Sequence, residues 1–147
     1  MKKKILIVDK LIEPFASIYK KNFNVNYLWQ IKSQKKLLEY EALLVTGGFK
    51  TTSSFLKKFK NLKIVSVFGV GYDGVDIDYC KKNNIFITNT PDILTNDVSD
   101  LAIGLLISLS REILSNHNYI KKNKWPTIPL KLNDSLANKK VGIVGMG

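Results

Sequence analysis

Three glycine-rich turns are the residues best suited to chemistry. Phe68-Gly69-Val70-Gly71-Tyr72-Asp73-Gly74-Val75-Asp76 follows one apolar run, and Thr46-Gly47-Gly48 follows another. Glycine leaves main-chain amides approachable, and clustered amides suit a carboxylate. Ligands of open α/β sheets bind at the carboxyl ends of strands, where such turns lie. The third turn closes Val141-Gly142-Ile143-Val144-Gly145-Met146-Gly147. A Gly-x-Gly after a buried strand is the first half of a dinucleotide-binding turn, in which the backbone approaches a pyrophosphate. The third glycine, the helix and the acidic residue that complete that pattern do not follow Gly147. Each turn also has a plainer reading as a tight connection, with Asp76 as a helix cap.

Other reactive residues are few. Cys80 is the only cysteine and His117 the only histidine, which excludes an intrachain disulfide and a cysteine-based zinc site. Half of the 12 acidic residues fall between Asp73 and Asp100. Helix caps account for Asp76, Asp97 and Asp100 more simply than a metal does, so no metal is expected. Cys80 is expected to pack, and His117 to face solvent.

The net charge of +11 invites a nucleic-acid reading, but Arg111 is the only arginine among 23 basic residues. Arginine's planar fork is what reads bases and clamps phosphates. The lysines are scattered in pairs such as Lys20-Lys21 and Lys81-Lys82. They form neither a basic tail nor a stripe interleaved with aromatics, so no nucleic-acid partner is expected. Leu101–Ile107 is far shorter than the ~20 residues a membrane span needs. The apolar run after Met1-Lys2-Lys3-Lys4 stops at Asp9, too early for a secretory signal. No membrane partner is expected, and the default location is cytoplasmic.

The turns need elements to position them. The chain has 147 residues, 45% hydrophobic and 24% charged, a globular composition. Short β-branched runs at Ile5–Asp9, Val25–Trp29, Ala42–Thr46, Ile64–Phe68 and Ile85–Thr88 suit strands, several of them covered on both faces. Helical spacing separates them at Leu11–Lys21, Gln34–Tyr40, Ser53–Lys60 and Ile77–Asn83. That alternation, with short connections, predicts a doubly wound α/β layer with a mostly parallel sheet. A long helix is then predicted from about Asn96 to Lys122, capped by Thr95 or Asn96 and apolar on nearly every side in its first half. Val141–Val144 is predicted as a further strand.

These residues together resemble the D-isomer-specific 2-hydroxyacid dehydrogenase family, glyoxylate/hydroxypyruvate reductase-like. The resemblance lies in Ser66 to Asp76, in Asn89-Thr90-Pro91-Asp92-Ile93-Leu94-Thr95-Asn96-Asp97-Val98-Ser99-Asp100 through Leu106, and in the terminal glycine turn. It implies an α/β fold: a flavodoxin-like parallel-sheet substrate domain over residues 1–92, then the truncated start of a Rossmann domain over 93–147. It also implies reduction of a small 2-keto acid to a D-2-hydroxy acid with NAD or NADP. Gly48, Val70 and Gly71 match substrate-binding positions, and Thr95, Gly145 and Gly147 match cofactor-binding ones. A homodimer through the 96–122 helix would account for that helix's apolarity. The family's arginine, histidine and orienting carboxylate all follow the pyrophosphate turn, so Arg111 and His117 cannot take those roles. No catalytic residue is assigned, and the chain alone is expected to be inactive. The alternative is a stand-alone flavodoxin-like binding domain without catalysis.

Overall fold

The computed structural model describes residues 2–125 and 127–145. The chain divides into two compact units, Met1–Ile93 and Leu94–Gly147. The first holds five parallel strands: β1 (Lys4–Ile7), β2 (Asn24–Tyr27), β3 (Ala42–Thr46), β4 (Ile64–Phe68) and β5 (Phe86–Thr88), in the order β2-β1-β3-β4-β5. The five strands predicted between Ile5 and Thr88 are each found within one or two residues of their expected bounds. Chain order reverses between β1 and β3, the switch point of a flavodoxin-like sheet.

Side-chain alternation explains the layers. Leu6, Leu43, Val45, Val65 and Val67 face one side and pack with Leu37, Leu56, Phe59 and Cys80. Cys80 is thus a packing residue, as expected. Ile7 and Leu44 face the other side and meet Ile12 and Ala16. This second layer does not extend over β5, whose Phe86 stays 74% exposed.

The helices are shorter than the sequence suggests. Lys10–Phe15 winds as a 3-10 turn capped by Asp9 and containing Pro14, and only α1 (Ala16–Lys20) is α-helical. The Pro14 ring clashes with the carbonyl four residues back in an α-helix, so the α-helical ladder does not run through it. Gln34–Glu39 is likewise 3-10. α2 (Ser53–Leu56) is capped by Thr52 and α3 (Ile77–Lys82) by Asp76.

The second unit departs from expectation twice. The single helix expected over 96–122 is two helices, α4 (Thr95–Ser110) and α5 (Ile113–Lys121). Glu112 between them adopts φ +46, and the Arg111 carbonyl accepts from the Nδ2 groups of Asn116 and Asn133 instead of a helical amide. Neither Thr95 nor Asn96 caps α4: Leu94 occupies that position without a side-chain bond. Val141–Val144 is irregular and exposed rather than a strand. An extended segment needs a neighbouring strand to take its N–H and C=O groups, and the described residues of this unit offer none.

Candidate functional site

β3 and β4 end at the same level, because Thr46 pairs with Phe68. Their outgoing loops therefore leave the sheet's carboxyl edge side by side. Main-chain bonds then join them. Gly74 N–H donates to Gly47 O at 3.2 Å, Thr51 N–H to Gly74 O at 2.8 Å, and Asp76 N–H to Thr51 O at 3.1 Å. Thr51 and Val75 form an isolated parallel bridge, and the Thr51 side chain is fully buried there. Two glycines permit this approach. A Cβ on Gly74 would stand 2.4 Å from Phe49 O, and one on Gly47 2.1 Å from Gly71 O.

The next two peptides carry the candidate chemistry. Gly69 O accepts from Thr90 N–H at 2.9 Å, and Val70 O accepts from Asn89 Nδ2 at 2.8 Å. In a planar trans peptide the N–H points opposite to the C=O. Two carbonyls held by residues 89–90 therefore turn the amides of Val70 and Gly71 away from that segment. Those two amides find no acceptor among the described residues. Both residues are exposed, as is Gly48 on the neighbouring loop. Two adjacent free amides turned to one side make a cradle for an oxyanion. The Asp73 carboxylate opposes it: its Oδ2 lies 3.6 Å from the place a Gly71 Cβ would occupy.

Two further groups line this edge of the sheet. Thr46 Oγ1 donates to Asp9 Oδ2 across the β1/β3 switch point. The rings of Phe15 and Phe68 meet at 5.2 Å between centroids. Sequence reasoning singled out neither pair, because each joins residues far apart in the chain. Asp76 was legible as a cap, and its Oδ1 does accept from Tyr79 N–H at 2.9 Å. Its second contact was not legible: Oδ2 accepts from Ser53 N–H at 3.2 Å, tying α3 to α2. These bonds, that from Tyr79 foremost, hold the Asp76 carboxyl below its ordinary range. A depressed folded value means the stabilisation is complete above the ordinary carboxylate pKa and is lost as pH falls through the folded value. The melting-temperature gap between wild type and Asp76→Ala is therefore expected to be full at neutral pH and to close in acid. A gap unchanged by pH would sink that assignment.

Among the expected cofactor positions, Thr95 opens α4, where its carbonyl accepts from Ser99 Oγ at 2.8 Å. Gly145 sits at φ +84, a conformation that favours glycine. Gly147 lies outside the described residues. No three His, Cys, Asp or Glu side chains converge as metal ligands among the described residues. No helix there is long and apolar enough to cross a membrane.

The sequence profile described as D-isomer specific 2-hydroxyacid dehydrogenase, catalytic domain, matches residues 5–139. The chain belongs to this family. Among its relatives, glyoxylate/hydroxypyruvate reductase A of Arabidopsis thaliana is 36% identical over 132 residues, covering 86% of this chain and 42% of that protein. The 2-ketogluconate reductase of Gluconobacter oxydans is 32% identical over 144 residues, covering 97% of this chain and 46% of the relative. Among solved structures, an NADPH-dependent glyoxylate/hydroxypyruvate reductase from Sinorhizobium meliloti, in complex with NADP and malonate, superposes with a TM-score of 0.86. It is 28% identical, and the match covers 100% of this chain and 47% of that one. The chain thus spans about half the length of the curated relatives it matches. The resemblance and the α/β class read from the sequence are both borne out.

Proposed function

We propose that this chain is the substrate-binding part of an NAD(P)-dependent oxidoreductase that reduces a small 2-keto acid, of the glyoxylate or hydroxypyruvate type, to a D-2-hydroxy acid. The observation that carries the reading is the pair of free, co-oriented amides at Val70 and Gly71. They would hold the substrate carboxylate, with the Gly48 loop at its border. The lysine-rich surface favours the approach of an anion. Family membership supports the reaction class, and the glyoxylate and hydroxypyruvate reductases among its relatives support the substrate size.

A nicotinamide cofactor supplies the hydride when bound. Thr95, Gly145 and Gly147 are the residues of this chain proposed to hold it. The positive φ of Gly145 fits a turn through which backbone approaches a pyrophosphate. We also place a homodimer contact on the apolar face of α4, and the protein in the cytoplasm.

Glyoxylate titrated into the isotopically labelled 147-residue chain tests the site. The Val70 and Gly71 amide resonances are expected to shift and saturate, with an apparent Kd on the order of 1–10 mM, suited to a small ligand on a few hydrogen bonds. Resonances that stay fixed to well beyond that range would refute the site. The same chain mixed with glyoxylate and NAD(P)H is expected to oxidise no cofactor; sustained oxidation would overturn the division of labour proposed here.

A further inference from the structure

We infer that Asn89 is a positioning residue: its side-chain amide fixes the orientation of the Val70–Gly71 peptide and so aims the Gly71 N–H into the anion cradle. The inference rests on the proposed anion site and names what builds it. The segment after β5 meets the loop after β4 through two donors from consecutive residues. The first is main chain, Thr90 N–H to Gly69 O at 2.9 Å. The next residue is Pro91, which has no N–H to offer. The following carbonyl, Val70 O, is served by the Asn89 side chain at 2.8 Å, a contact between residues 19 positions apart in sequence.

A carbonyl can accept only from a donor, so the Nδ2 end of Asn89 must face Val70. The two peptides of the cradle are therefore held by different means. The Gly69–Val70 plane is fixed by backbone, and the Val70–Gly71 plane by one side chain. Gly71, on the carboxyl side of the second plane, leaves that plane free to turn about its φ once released. Asn89 is only partly buried, so removing it leaves the core intact.

The test is glyoxylate titration of wild type, Asn89→Ala and Asn89→Asp, each as the labelled 147-residue chain. Asn89→Ala changes no charge. It is expected to lose the glyoxylate-induced shift at Gly71, to keep the shift at Val70, and to bind roughly three- to tenfold more weakly, the range for one lost hydrogen bond. Its melting temperature should match wild type, and the β1 and β3 amides should keep their resonances. Asn89→Asp sets a carboxylate against Val70 O and should bind more weakly still. If wild type binds and Asn89→Ala binds as tightly with both shifts intact, the positioning role falls while the site stands. If wild type takes no glyoxylate, the site falls and the positioning role with it.

Discussion

Replacing Gly47 by alanine is expected to abolish glyoxylate binding and to lower stability by about 1–3 kcal/mol, the usual cost of an atom forced into a filled site. A Cβ there would lie 2.1 Å from Gly71 O and 3.0 Å from Gly71 C. Both obstacles are backbone, so no side-chain rotation relieves the clash. The loop after β4 would have to move, and it carries the Val70 and Gly71 amides. It would also strain the bond from Gly74 N–H to Gly47 O. Gly48 supplies a matched control for stability. An added Cβ at Gly48 meets nothing within 4 Å, so Gly48→Ala should cost no more than about 0.5 kcal/mol. Urea midpoints of the two variants measure the difference. Equal midpoints, with Gly47→Ala still shifting at Gly71 on glyoxylate addition, would show that the two loops are not locked as described.

The contrast between Gly47 and Gly48 shows where sequence reasoning stops. Both glycines were visible at a strand end, where an α/β sheet presents its loops. Which one is sterically indispensable depends on the carbonyl of Gly71, which the pairing of β3 with β4 brings alongside. The strands themselves were legible, because unbroken runs such as Ile5-Leu6-Ile7-Val8 need cover on both faces and β-branched residues suit extended backbone. The break between α4 and α5 was not legible. Arg111 and Glu112 carry no glycine or proline signal, and the bond that captures the Arg111 carbonyl comes in part from Asn133, 22 residues away. Asn89 shows the same limit at the site. It stood inside the stretch that carried the family resemblance, yet its partner is set by where β5 delivers it.

The helix α4 leads to the second large effect. None of its residues is buried, although Val98, Leu101, Leu105 and Leu109, which helical spacing sets along one face, are all large and apolar. A contiguous apolar surface of this kind marks an interaction site. Leu101 and Leu105 are one helical turn apart on one face and 62% and 60% exposed. The proposed homodimer would bury this face against its own copy. The chain is then expected to sediment as a dimer at concentrations near 50 µM, a range within reach of weak interfaces. The double substitution Leu101→Lys, Leu105→Lys should weaken association roughly 100-fold or more, since like charges would face each other in a desolvated contact. Lysine forms helix about as readily as leucine, so the helical circular dichroism should be retained. A wild-type chain that remains monomeric throughout, or a double variant that associates as tightly, would remove α4 from the interface. The two substitutions leave the β3 and β4 loops untouched, so glyoxylate-induced shifts at Val70 and Gly71 should survive in the monomer. Loss of those shifts on dissociation would mean that the anion site is completed by the partner copy.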